Sequence, residues 1–281
     1  DTLRGEQNFA SFTDVVNSLA GIQTKGNDVV LSIDSRIQQA AQDALAGQVG
    51  AVVALSPETG AVYALASSPT FDAANYEELL TAAADGGSDS SELFNRATQA
   101  LRQVGSNIKP FLYTAAMDKG LTLASMLNDV PISRWDAGAG SDWRPKNSPP
   151  QYAGPIRLRQ GLGQSKNVVM VRAMRAMGVD YAAEYLQRFG FPAQNIVHTE
   201  SLALGSASFT PLQVARGYSV MANGGFLVNP FFISKIENDQ GGVLFEERPK
   251  IACPQCDLPV IYGDTPKSNV LENKDVEDVA T

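Results

Sequence analysis

The strongest constraint on the fold is a hairpin signal near the start of the chain. Residues 50–69 read GAVVALSPETGAVYALASSP, two β-favouring runs around SPETG, and such runs flanking a turn of this chemistry predict antiparallel strands. Both runs are apolar at nearly every position, which suits central strands of a sheet covered on both faces. A second hairpin is expected at 231–247, FFISKIENDQGGVLFEE, with NDQGG as its turn. A short strand, DVVLSI (28–33), precedes a helix at 34–47, DSRIQQAAQDALAG. Asp34 or Ser35 can cap that helix, Ile37, Ala40, Ala41, Ala44 and Leu45 form one face, and Gly47 stops it.

Helical patterns gather between the two hairpins. Residues 106–120 fit a helix with Pro110 in its first turn, where a missing N–H costs nothing. IRLRQGLGQS leads into KNVVMVRAMRAMG, VDYAAEYLQRFGF ends at Gly190, and TPLQVARGYSVMANGG (210–225) is a further helix. Residues 121–160 read as turns with two tryptophans, 81–92 as a small-residue acidic loop, and SFTDVVNSLAGI as a short helix capped by Ser11 or Thr13. The tail beyond Lys250 shows little periodicity. With strands at both ends and helices between, the expected class is α+β: an antiparallel sheet flanked by helices, with an inserted helical subdomain. Residues 1–27 are expected to be a lead-in segment and 28–281 one domain.

The net charge of -8 removes the basic footprint that nucleic-acid binding needs. No run of about 18 apolar residues occurs to span a membrane. Cys253 and Cys256 (CPQC), with His198 as the single histidine of the chain, supply too few ligands for a structural zinc site. A local disulfide and two reduced thiols both fit the pair.

The chemistry centres on RQVGSNIKP (102–110). A serine hydroxyl is a weak nucleophile unless a base takes its proton. His198 has no signature of a catalytic base. A lysine can serve if burial or neighbouring cations lower its pKa. Ser106 and Lys109 stand three apart, on one face of a helix, and the N–H groups at a helix start can stabilise an oxyanion. The competing reading makes Ser106 a helix cap and Lys109 a solvated cation. QSKNVV adds Ser165 and Asn167, two apart, which a loop backbone can turn toward one cleft. There a hydroxyl can relay a proton and a carboxamide can hold a peptide group. Ser165 as a helix cap is the alternative.

VGSNIKP followed by SKN resembles the first two motifs of the penicillin-binding proteins, D,D-transpeptidases that share a fold with the serine β-lactamases. Residues 94–281, including DWRPKNSPPQYAGPIRLRQGLGQSKNVVMVRAM and LGSASFTPLQVARGYSVMANGG, resemble the transpeptidase domain of class A bifunctional members. Residues 1–93 resemble class B members more closely. The resemblance implies a β-lactamase/transpeptidase-like fold and cross-linking of peptidoglycan stem peptides through an acyl-enzyme on Ser106. Lys109 would accept the serine proton, Ser165 would help protonate the leaving amine, and Asn167 would orient the donor peptide. Lys166 has no assigned role. Stem peptides and β-lactams are the implied partners, with no nucleic acid, metal or other cofactor. The implied location is outside the cytoplasmic membrane, periplasmic or cell-wall-facing, with a membrane anchor in the full-length protein.

The family's third motif, Lys-Thr-Gly or Lys-Ser-Gly, does not occur in the 281 residues; TKG at 24–26 has the wrong order. In class A relatives it follows a segment like VLENKDVEDVA, where this chain stops, so the domain is expected to be truncated at its C-terminal end and impaired. A serine β-lactamase is the nearest enzymatic rival, but neither Glu184 nor Glu200 is followed by Asn four residues on, as that class's deacylating loop requires. A non-catalytic scaffold that binds penicillin or peptidoglycan is the other rival.

Overall fold

A computed structural model describes residues 26–77, 80–81, 92–133, 143–238 and 240–252. The expected helix around Ser11, most of the 81–92 loop, Cys253, Cys256 and the tail lie outside the described residues. No helix among the described residues is long and apolar enough to cross a membrane.

The strands are β1 (Asp28–Leu31), β2 (Gly50–Leu55), β3 (Val62–Ser68), β4 (Arg102–Gln103), β5 (Met126–Asp129), β6 (Gly154–Arg157), β7 (Ser208–Phe209), β8 (Ile233–Glu237) and β9 (Val243–Glu246). Both predicted hairpins form. β8 pairs antiparallel with β1, Asp28 opposite Glu237, and with β9, giving the order β1-β8-β9. β2 and β3 pair antiparallel from Gly50↔Ser68 to Leu55↔Val62. An isolated parallel bridge, Ala61↔Phe231, stitches this hairpin to the first sheet. Gly60 closes the hairpin turn at φ +83, and a Cβ there would lie 2.2 Å from the Asn229 carbonyl oxygen. The turn therefore requires glycine for both its conformation and its closeness to the neighbouring chain.

The expectation of strands covered on both faces needs correcting. In β3, Val62, Ala64 and Ala66 are buried while Tyr63 between them is 39% exposed. One face carries the burial, in the alternation typical of antiparallel strands. The first helix, α1 (Ser35–Ala44), covers that face, and Asp34 caps it by accepting from the N–H groups of Arg36 and Ile37. Its predicted apolar face is also corrected. Ala41 is buried and Leu45 half-buried against Ala64 and Ala66, but Ile37, Ala40 and Ala44 are exposed. Gln38 takes the inner position because its carboxamide bonds both backbone groups of Leu65, accepting from N–H at 2.8 Å and donating to the carbonyl at 3.1 Å.

The helical part comprises α2 (Lys109–Asp118), α3 (Leu158–Gly163), α4 (Asn167–Met177), α5 (Val179–Gln187) and α6 (Pro211–Ala222). α4 lies at the centre: Val168, Val169, Met170, Val171, Ala173, Met174 and Met177 are all buried, the mark of a helix enclosed on nearly all sides. Phe111 of α2 meets Phe189, Phe191 and Tyr218 edge-on, with ring centroids about 5 Å apart. Residues 121–160, read as turns, contain the antiparallel pair β5–β6. These strands are four residues each, and Gly154 and Pro155 give β6 the sequence character of a turn.

Candidate active site

Ser106 lies in a 3-10 turn, Gly105–Ile108, that runs directly into α2, where Lys109 is the first residue. Pro110 fits the first turn of α2 as expected. The capping role for Ser106 is not observed: neither the 3-10 turn nor α2 has a side-chain cap. Ser106 is exposed and Lys109 is buried, with 1% of its surface accessible.

The turn holding Ser106 is braced from a distant segment. The Gly105 N–H donates to the Gly205 carbonyl at 3.1 Å, and the Val104 N–H donates to that of Ala207. β4 pairs with β7, Arg102 opposite Phe209. On the other side the Tyr218 hydroxyl donates to the Asn107 carbonyl at 3.0 Å. Gly205 ends the 3-10 turn Glu200–Leu204 in the left-handed region, φ +78, and a Cβ on it would sit 2.0 Å from the Gly105 carbonyl oxygen.

Three of the four predicted residues meet: Lys109, Ser165 and Asn167 are joined by hydrogen bonds, while Ser106 stands in the turn that leads into Lys109. The Lys109 ammonium donates to the Ser165 carbonyl at 2.7 Å, to Ser165 Oγ at 3.0 Å and to Asn167 Oδ1 at 2.7 Å. Its three donors are thereby matched by three acceptors from one turn. Burial lowers the Lys109 pKa from 10.5 to about 8, because desolvation disfavours the charged form. At pH 7.5 roughly a quarter of such an amine is neutral and able to take a proton. Ser165 is exposed like Ser106, and its hydroxyl stands beside the buried amine. Its φ of +51 makes Ser165 the one non-glycine residue with positive φ among the described residues. The cap reading for Ser165 is also not observed, since α4 starts after Lys166 without a side-chain cap from its own N-cap position.

Behind this turn stands a group that sequence reasoning missed. Asp129, fully buried at the end of β5, accepts from Asn147 Nδ2 at 2.6 Å, the Ala153 N–H at 3.0 Å and Lys166 Nζ at 3.0 Å. Burial opposes the charge of this carboxylate, but those bonds outweigh it and hold the Asp129 pKa below its ordinary value. Nothing in the local sequence, NDVP, marks this aspartate as buried. His198 sits elsewhere, exposed and paired at 2.9 Å with Asp180. Arg175 forks onto Glu200 at 2.8 and 2.9 Å.

Comparison with known proteins identifies the family and the fold. Residues 50–275 match the family model of the penicillin-binding protein transpeptidase domain. Penicillin-binding protein 1A of Escherichia coli is 79% identical over 230 residues, which is 82% of this chain and 25% of that protein. That span is longer than 94–281, so the similarity to protein 1A reaches into 1–93. Penicillin-binding protein 1A of Haemophilus influenzae is 58% identical over 173 residues, 61% of this chain and 20% of that protein. The chain spans about a quarter or less of the length of these curated relatives. Among solved structures, the H. influenzae protein superposes with a TM-score of 0.63 at 50% identity, covering 78% of this chain and 30% of that one. Penicillin-binding protein A from Mycobacterium tuberculosis, as an imipenem acyl-enzyme complex, superposes with a TM-score of 0.74 at 25% identity, covering 88% of this chain and 63% of that one. The fold is that of the β-lactamases and transpeptidases, and the chain belongs to the penicillin-binding protein transpeptidase family.

Proposed function

We propose that this chain is the transpeptidase part of a peptidoglycan D,D-transpeptidase in which Ser106 is the nucleophile and Lys109 its base. The observation that carries the reading is Lys109 itself. It is buried at the foot of the Ser106 turn, its pKa is lowered to about 8, and three acceptors of the Ser-Lys-Asn turn hold its nitrogen. In the first step Ser106 Oγ attacks the carbonyl of the penultimate D-Ala of a stem peptide while its proton passes to neutral Lys109. The C–N bond then breaks. Ser165, hydrogen-bonded to Lys109, relays a proton to the departing D-Ala amine, and Asn167 Nδ2 and the nearby backbone orient the donor peptide. An amine of a neighbouring stem peptide attacks the acyl-enzyme, forms the cross-link and returns Ser106. β-Lactams acylate the same serine of this chain; the M. tuberculosis relative forms an acyl-enzyme with imipenem. The reaction places the domain outside the cytoplasmic membrane, where stem peptides are cross-linked, with the anchor on the full-length protein.

The 281-residue polypeptide lacks a Lys-Thr-Gly or Lys-Ser-Gly triplet, whose strand supplies an oxyanion donor in this family. Glu200 does not act as a β-lactamase base, because Arg175 occupies its carboxylate. A fluorescent penicillin tests the reading: covalent labelling is expected, absent in Ser106→Ala. Labelling that persists in that variant refutes the assignment of Ser106. Nitrocefin is expected to give one slow event per chain; steady turnover points to a β-lactamase instead.

A further inference from the structure

Lys166, the middle residue of the Ser-Lys-Asn turn, does not join its neighbours around Lys109. Its ammonium donates to Asp129 Oδ2 and to the Gln151 carbonyl, each at 3.0 Å. Asn147 completes the arrangement. It donates to Asp129 Oδ1 and to the Gln151 carbonyl, while its Oδ1 accepts from the Val168 N–H at 3.1 Å. That last bond supplies from another segment the cap that α4 lacks at its own N-cap position. Asn167 Nδ2 in turn donates to the Lys146 carbonyl at 2.9 Å. The carboxylate of Asp129 therefore grips the turn on both sides, at Lys166 directly and at Val168 through Asn147.

We propose that Asp129 is a positioning residue: through Lys166 and Asn147 it clamps the 165–167 turn and thereby fixes the acceptors around Lys109 Nζ. This rests on the roles of Ser106 and Lys109 given above. Ser165 needs the clamp. It is held at φ +51, a conformation serine keeps only where its surroundings over-determine it. In that conformation both its carbonyl and its hydroxyl reach one nitrogen. A carboxylate fully removed from water is otherwise costly, and here all three of its donors belong to the turn or to the loop packed on it. A displacement of about 1 Å at a catalytic group costs on the order of 100-fold in rate.

Two variants test the clamp from opposite ends, Asp129→Asn and Lys166→Met. The first readout is the titration midpoint of Lys109, followed by NMR on 13Cε-lysine protein with the signal assigned by Lys109→Arg. The second is the rate of acylation by fluorescent penicillin at pH 7.5. Loosening the turn admits water to the amine, so both variants are expected to raise the Lys109 midpoint by about one unit or more. A one-unit rise lowers the neutral fraction about eightfold at pH 7.5, and with misplacement the acylation rate falls about 10- to 100-fold. The double variant is expected to be no slower than the slower single, because both act through one contact. Charge effects alone have opposite signs in the two variants: removing an anion lowers the midpoint and removing a cation raises it. Opposite shifts, or an unmoved midpoint with only a lower melting temperature, overturn the proposal. If Asp129→Asn does not fold, Asn147→Ser decides by the same two readouts: it loosens the clamp at Asp129 and Val168 without changing any charge, so a raised midpoint there is not a charge effect, and an unmoved one overturns the proposal. If the parent protein is not labelled at Ser106, the functional reading falls, while the NMR midpoints still decide whether Asp129 positions the amine.

Discussion

Gly205→Ala is the sharpest test of how the Ser106 turn is held. The new Cβ would lie 2.0 Å from the Gly105 carbonyl oxygen and 2.5 Å from its carbonyl carbon and Cα. Ordinary contact begins near 3.4 Å, so the two backbones must separate by about 1 Å or more, and no rotamer change relieves a clash between main chains. Alanine at φ +78 adds about 1–2 kcal/mol of left-handed strain, and overpacking typically adds about 1–3 kcal/mol. The sum, about 2–5 kcal/mol, falls on the N–H to carbonyl bond between Gly105 and Gly205. Because Ser106 follows Gly105 directly, the displacement passes to this proposed nucleophile, and about 1 Å there corresponds to on the order of 100-fold in rate. The assay pairs a chemical melt with the acylation rate measured on protein that is still folded. Gly163→Ala is the control, since nothing lies within 4 Å of a Cβ there; it is expected to match or slightly exceed the parent in stability. A folded Gly205→Ala protein that acylates at the parent rate refutes the reasoning.

Three further outcomes follow from the same structure. The Lys109 pKa falls from 10.5 in the unfolded chain to about 8 on folding, so the folded state carries a penalty below pH 8 that is relieved as pH rises from 8 toward 10.5; the full penalty is about 3 kcal/mol. Urea melts are expected to show this rise between pH 7.5 and 9.5 in the parent and not in Lys109→Met, and an identical pH dependence in both would contradict it. Tyr113 is buried with no partner for its hydroxyl among the described residues, so Tyr113→Phe is expected to stabilise by about 1 kcal/mol, read as a melting temperature about 2–4 °C higher; a lower one would reveal a partner. Arg175→Met leaves the Glu200 carboxylate alone, and because Glu200 keeps 21% side-chain exposure the expected loss is at the low end for a broken buried pair, about 3 kcal/mol, with a loss below 1 kcal/mol in a chemical melt counting against the fork.

What could be read from the sequence was what lies close along the chain. The turn chemistry of SPETG and the helix that starts at Thr210 are local, and both take the expected form; the helix expected from Ser106 instead begins at Lys109, after a 3-10 turn. Thr210 and Gln213 make a reciprocal cap that the run TPLQ already announces. Ser165 and Asn167 were legible as a pair, and the resemblance to transpeptidases linked them to Ser106. The misreadings concern contacts made at a distance. Ser106 looked like a cap because serine before an apolar run usually is one, yet the helix start is carried by a 3-10 turn braced at Gly205. α1 was assigned the wrong inner face because a glutamine satisfied by a strand backbone counts as polar in any periodicity. Asp129 and Asn147 were invisible for the same reason: their burial depends on 18- and 21-residue separations that only the folded chain brings together.

The pairing of β1 with β8 has a consequence for how the molecule is made. Ser32 bonds to Phe232 across 200 positions, whereas α2 through α6 close over much shorter loops. Distant pairings form late, since their loop entropy must be met before contacts reward it. During synthesis β1 and the β2–β3 hairpin therefore emerge long before the strand that completes them, with unpaired edges open to other chains. The helical part is expected to consolidate first and to serve as the platform on which the sheet closes. Pulsed hydrogen exchange during refolding should protect the amides of Val169 to Val171 ahead of those of Val29 and Val30, and the reverse order would rule this sequence of events out.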